Sequence, residues 1–200
     1  MAVYFTADLH LGHKNIIRHC ERPFESAEQM DQRLIASINA VVGQHDTLYI
    51  LGDFAGPQIS RDEAIAYRGR IACKHVHLVQ GNHDKDFRDA DCFESVAYYR
   101  KVKLGGRKVI LFHYPIAEWD GKWHGTVHLH GHSHNRPEYN QHSLEQGLLR
   151  FDVGVDANDY APISERAILE LVRETDAAKH NPTMSLAECN HALNKRTFGR

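Results

Sequence analysis

The chain is 200 residues long, 42% hydrophobic and 25% charged, with a formal charge of −2. A chain of this size buries roughly 70% of its unfolded surface, enough for one self-sufficient core, and its composition excludes a disordered polymer. The balance of 24 Lys+Arg against 26 Asp+Glu excludes a strongly basic nucleic-acid binder or a polybasic membrane anchor as bulk behaviour, so long duplex DNA is not an expected partner.

In chain order, short apolar runs predict strands over residues 3–7, 48–51, 76–79, 109–112, 126–130 and 149–155. Between the first two, Met30, Leu34, Ile38 and Val41 or Val42 recur at helical spacing. Ser26 with Gln29 offers a cap and capping box, and Gly43 a C-cap. A second helix is expected over 61–71, and residues 168–172 read as a strand or a buried helical turn. The strand–helix–strand–helix–strand opening argues for α/β with parallel pairing, while the tighter spacing after Tyr98 suggests antiparallel strands. One domain over 1–174 is followed by a polar tail, 175–200, with a short helix expected at 186–193. No apolar run approaches the ~20 residues of a membrane helix. The first residues lack the basic start of a signal peptide. Cys20, Cys73, Cys92 and Cys189 are scattered, which fits reduced thiols and a cytoplasmic setting.

Histidine is out of proportion: sixteen, twice the eight phenylalanines. The strand ends explain where the important ones fall. After 3–7 comes Asp8-Leu9-His10; after 48–51, Gly52-Asp53; after 76–79, Gly81-Asn82-His83-Asp84; after 109–112, His113; and after 126–130, Gly131-His132-Ser133-His134. Ligands of α/β sheets bind beyond the carboxyl ends of strands, so these residues converge on one crevice. Carboxylate, imidazole and one amide without thiolate suit Mn, Fe, Zn, Co or Ni; Mg and Ca prefer all-oxygen shells. Seven candidates are too many for one ion, but they suit a pair sharing a bridging carboxylate, an arrangement used for in-line displacement at phosphorus.

The ordered set Asp-x-His, Gly-Asp, Gly-Asn-His-Asp, His and Gly-His-x-His resembles the calcineurin-like metallophosphoesterase superfamily over residues 3–134. The stretch Val153-Gly154-Val155-Asp156 is similar to that superfamily's closing strand. Asp8-Leu9-His10-Leu11-Gly12-His13, Arg22-Pro23-Phe24 and Leu51-Gly52-Asp53-Phe54 resemble a small bacterial and phage branch of predicted phosphoesterases. The resemblance implies a four-layer α/β/β/α sandwich with two facing mixed β-sheets. It implies a first ion on Asp8, His10, Asp53 and His134, with Asp53 bridging to a second on Asn82, His113 and His132. Manganese is the first expectation, with Fe, Zn, Ni or Co as alternatives. His83 would protonate the leaving oxygen, Asp84 would orient it, and a water between the ions would attack phosphorus.

His128 and His130 alternate with His132 and His134, but Gly131 should break the strand and leave the first pair structural. His13, Lys14, Asn15 and Arg18 stand at an expected helix start, a natural anion site. His13 leads the candidates for phosphate binding, followed by Asn15, Arg18, Arg136 and Arg22. A 200-residue chain that holds the core has no room for a cap domain, so the site should be open and favour a small or nucleotide-like phosphodiester over a monoester. A phosphatase with the same site is the alternative. A non-catalytic scaffold should lose ligand positions, and all seven are present. A closed structural zinc site would want cysteines in the motifs, and the sequence places none there.

Overall fold

The computed structural model describes residues 1–88 and 91–180; the expected helix at 186–193 lies outside them. Five strands form the first sheet: β1 (Val3–Thr6), β2 (Thr47–Ile50), β3 (His75–Val79), β4 (Ser95–Ala97) and, late in the chain, β9 (Ile163–Ser164). Their order is β4-β3-β2-β1-β9, all parallel except β9. The second sheet runs β5 (Tyr99–Leu104), β6 (Arg107–Phe112), β7 (Val127–His130) and β8 (Arg150–Asp152). Here only the β5–β6 pair is antiparallel, so the expectation of antiparallel strands after Tyr98 holds for one pair of three.

The sheets face each other. Phe5, Leu51 and Val79 of the first share one buried cluster with Val109, Leu111, Leu129 and Phe151 of the second. Strands buried on both faces read as continuous apolar runs, which is why β1, β2 and β3 are plain in the sequence. On the far side of the first sheet, Met30, Leu34 and Ile38 of α2 (Ala27–Val41) pack on Leu48, Ile50, Val76 and Leu78. Ser26 caps α2 by accepting the Gln29 N–H at 3.2 Å. The Gln29 side chain bonds the Glu25 N–H instead of closing a box, and the helix ends at extended Val42, not through Gly43. The full capping box is on α3 (Arg61–Gly69), between Ser60 and Glu63. Across the second sheet, Asn140 of α4 (Glu138–Glu145) exchanges two hydrogen bonds with the Asp152 backbone. The result is a four-layer α/β/β/α sandwich.

Residues 168–172 are helical: α5 (Glu165–His180) inserts Ile168 and Val172 into the cluster between the sheets and runs past residue 174. The 149–155 run stops as a strand at Asp152 and turns through a short 3₁₀ segment, Val155–Ala157. Among the described residues no helix is long and apolar enough to cross a membrane.

Candidate metal centre

Every motif loop lies beyond the carboxyl end of its strand, and the loops are tied to one another by backbone bonds. The Asp8 N–H donates to Gly52 O at 3.0 Å, His10 to Asp53 O at 2.9 Å, and Gly131 to His113 O at 2.9 Å. Such close approach needs glycine. A Cβ on Gly52 would stand 2.3 Å from His113 Nδ1, and one on Gly81 2.4 Å from Asp53 Oδ1. Asp8, His10, Asp53, His132 and His134 all have φ between 46° and 71°, five of the eight non-glycine residues with positive φ among those described. A non-glycine residue held there costs on the order of 1–3 kcal/mol, and such strain gathers at functional sites.

The side chains fall into two adjoining groups, Asp8–His10–His134 and Asp53–His113–His132, with the ligand atoms of each within 4.8 Å of one another. Asp53 stands between them. Its Oδ2 lies 3.5 Å from His10 Nε2 and 3.5 Å from His113 Nε2, while Oδ1 accepts the His83 N–H at 2.9 Å. Asn82 Oδ1 is 3.0 Å from both His113 Nε2 and His132 Nδ1. All seven predicted ligands are therefore brought together.

The donor set fits divalent cations on its hydrogen-bond chemistry. With His113 Nδ1 donating to Leu51 O at 2.8 Å, its Nε2 presents a lone pair to Asn82 Oδ1 and Asp53 Oδ2, which are acceptors as well. His134 Nδ1 likewise bonds Asp156 Oδ2 at 2.7 Å, turning the Nε2 lone pair toward His10 Nε2, 3.3 Å away. In the neutral imidazoles these are acceptors facing acceptors, and a buried pocket of them calls for positive charge between, which protons supply in the metal-free chain and a cation would supply in their place. The titration behaviour agrees. Burial, with Asp152 nearby, pushes Asp8 up to about 7 despite the His132 N–H. Burial holds His10 down at about 2. Burial also works against the charge on Asp53, but the His113 bond and neighbouring groups keep it ionised at about 2.

His83 stands over this cluster, half-buried, its ring 5.4 Å from His10 and 6.5 Å from His13. Asp84, expected to orient it, turns elsewhere: its carboxylate accepts the backbone N–H groups of Asp53, Phe54 and Gly81 at 2.8–2.9 Å. It clamps the Gly81 turn to the Asp53 loop and so fixes His83 only through the backbone.

The phosphate candidates divide. His13 sits beside His10, rings 5.4 Å apart, at the position just before α1 (Lys14–His19). Asn15 and Arg18 are exposed on α1 with no contact to the cluster among the described residues. Arg136 pairs with Glu21 at 2.7 Å. Arg22 is no phosphate ligand. Only 3% exposed, it grips Asp156 through Nε and Nη2 at 2.9 and 2.8 Å and donates to the carbonyls of Asp8 and Leu9. Asp156 in turn holds His134. Burial resists both charges, but the pair prevails: Asp156 is kept at about 2 and His134 raised to about 10. No local pattern signals this clamp, because Arg22 and Asp156 stand 134 positions apart. Cys20, which the motifs do not include, lies within 4.8 Å of the ligand atoms of His134 and Asp156.

His128 and His130 are buried apart from the clusters. His128 Nε2 lies 3.1 Å from Tyr114 O, and burial depresses the ring to about 3. Below pH 6.5 the unfolded chain binds a proton there that the fold refuses, so stability falls as the pH drops toward 3. That loss is about 1.4 kcal/mol per pH unit for one group. Urea unfolding of metal-free protein at pH 6.0 and 5.0 should show this slope reduced by that amount in His128→Gln; an equal slope would mean that the ring is charged in the fold.

Comparison with known proteins agrees with this geometry. The family model described as "Calcineurin-like phosphoesterase" matches residues 1–189. An uncharacterized protein of Methanocaldococcus jannaschii, MJ1445, is 29% identical over 174 residues, covering 86% of this chain and 92% of its own. The Gene 66 protein of Mycobacterium phage L5 is 28% identical over 184 residues, covering 77% and 86%. The crystal structure of AQ665 from Aquifex aeolicus, a protein of unknown function, superposes with a TM-score of 0.66 at 26% identity, covering 85% of this chain and 98% of that one.

Proposed function

We propose that this chain, which belongs to the calcineurin-like phosphoesterase family, is a binuclear metal-dependent phosphodiesterase acting on a small or nucleotide-like ester. The observation that carries the reading is Asp53 Oδ2, equally distant from an imidazole nitrogen of each group. Asp8, His10, Asp53 and His134 would hold one ion, and Asp53, Asn82, His113 and His132 the other. Two divalent transition-metal ions in these places, manganese first among them, would supply Lewis acidity and lower the pKa of a shared water toward 7.

The chain's own groups do the rest. His83 stands at the edge of the cluster, its backbone N–H fixed by Asp53, and delivers a proton to the leaving oxygen. Asp84 keeps that turn in register. His13, on the same side as His83, offers a donor to a phosphoryl oxygen. Asn82 and His132 are exposed, which leaves room for the second ester arm of a diester.

The test is chelation followed by single additions of Mn, Ni, Co, Zn or Mg, with a nitrophenyl monoester assayed against the matching diester. Turnover should return with a transition metal and favour the diester; a monoester preference would make the protein a phosphatase with the same site. His83→Ala should retain its metal and lose roughly 10²–10⁴-fold on an alkyl leaving group, with a much smaller loss on nitrophenol. Equal rates for wild type and variant on both would remove His83 from the acid's place.

A further inference from the structure

Six large hydrophobic residues are exposed among those described, and four of them, Tyr98, Tyr99, Tyr114 and Trp123, fall within the 26-residue segment 98–123. Two of these join a row that begins at the metal centre. The Tyr114 ring lies 4.5 Å from that of the candidate ligand His132, Phe112 follows at 5.5 Å and Tyr99 at 6.2 Å. From Tyr99 the exposed side of β5 continues through Lys101 to Lys103, and β5 is an edge strand.

The charge is as uneven as the aromatics. Residues 98–125 hold six Lys or Arg and two carboxylates in a chain whose net charge is −2. Both carboxylates are already paired, Asp120 with Lys101 and Glu118 with Lys122. Lys103 and Lys108 stand directly opposite each other in the β5–β6 register, both exposed. Like charges in that position are destabilising unless something anionic neutralises them. The whole-chain balance, which shows no basic stripe, conceals this local one.

We infer that the outer edge of the second sheet is a track for a short single-stranded nucleic acid, whose bases stack on Tyr114, Phe112 and Tyr99 and whose phosphates run toward Lys103 and Lys108. The inference deepens the phosphodiesterase reading and rests on it for the fate of the phosphate nearest His132. Aromatic faces take bases that are already unstacked, and lysines track the backbone without reading sequence, so a single strand suits this edge and a duplex does not.

Fluorescence anisotropy tests it with the Mn-loaded full chain and a fluorescein-labelled twelve-nucleotide phosphorothioate oligo-dT, the matching duplex serving as competitor. The single strand should bind at least tenfold tighter than the duplex. Tyr114→Ala and Tyr99→Ala should each weaken it roughly 5-fold or more, the low end of one lost stacking contact. Lys103→Ala with Lys108→Ala should flatten the log K against log salt slope by about 1.4, two single-strand phosphates' worth. Arg33→Ala on α2, an exposed charge on the opposite layer, should change neither quantity. Duplex and single strand bound alike, or aromatic variants bound as tightly as wild type, would overturn the track. Nitrophenyl diester turnover is measured in parallel on wild type. Turnover without oligonucleotide binding would sink this inference alone, whereas binding without turnover would sink the phosphodiesterase reading and leave the track standing.

Discussion

Asp53→Asn protein should fold, bind fewer than two ions and lose on the order of 10³-fold in ester hydrolysis, a size typical for removing a preorganised electrostatic element. The amide is nearly the carboxylate's shape, so the loss is chemical and not steric. With its NH₂ turned to the Oδ2 place, it would donate to the lone pairs of His10 and His113, each 3.5 Å from that atom. Those hydrogen bonds take the place of the one the Asp53 carboxylate accepts from His113 in the metal-free wild type. The metal-free variant should therefore be close in stability to metal-free wild type, and added Mn should raise its melting temperature less than it raises that of wild type. Wild type should gain about 2.7 kcal/mol at metal concentrations a hundredfold above Kd. Elemental analysis of dialysed protein, read beside thermal unfolding with and without Mn, checks both halves. Two retained ions with a rate within tenfold of wild type would mean that Asp53 is not a bridge.

The second large effect is on stability. Arg22→Met removes the two bonds from Nε and Nη2 and leaves the buried Asp156 carboxylate with His134 as its remaining charged partner. Breaking a buried pair from one side costs about 3–5 kcal/mol, a large part of the ~5–15 kcal/mol that holds a domain together. Replacing both partners, Arg22→Met with Asp156→Leu, removes that carboxylate and should restore most of the loss in urea unfolding. Metal affinity separates the two roles of the clamp. The double variant has nothing at His134 Nδ1, and loss of such an outer partner typically weakens metal binding 10- to 100-fold. Recovered stability together with wild-type metal affinity would show that Asp156 serves the fold and not the imidazole.

Much of this was legible beforehand, for reasons particular residues make clear. Parallel strands buried on both faces are apolar runs, so β1, β2, β3, β6 and β7 stand out, and every candidate ligand directly follows one of them. Gly131 ending β7 at His130 is local chemistry too, and it correctly separates His132 and His134 from the buried pair before them. β5 was hidden because it is an edge: Tyr99, Lys101 and Lys103 face solvent, and its composition reads as a polar connection. β4 and β9, of three and two residues, are too short to carry a period. The contacts that escaped are those with no local signature. Arg22 looks like any arginine downstream of the Asp8–His13 motif until folding sets it beside Asp156, and Arg136 looks free until Glu21 comes beside it. The resemblance implies that Asp84 orients His83, whereas the bonds its carboxylate accepts from three backbone N–H groups, which no local pattern signals, tie together the Gly81 turn and the Asp53 loop.

The clamp of Arg22 on Asp156 also has a meaning in time. The first candidate ligand leaves the ribosome near the start of synthesis, at Asp8, but His134 is not held until Asp156 has followed it out, almost 150 residues later. At ~5–20 residues per second, Asp8 and His10 wait several seconds or more beside an incomplete pocket. The order of synthesis therefore completes the Asp53–His113–His132 group first and the Asp8–His10–His134 group last.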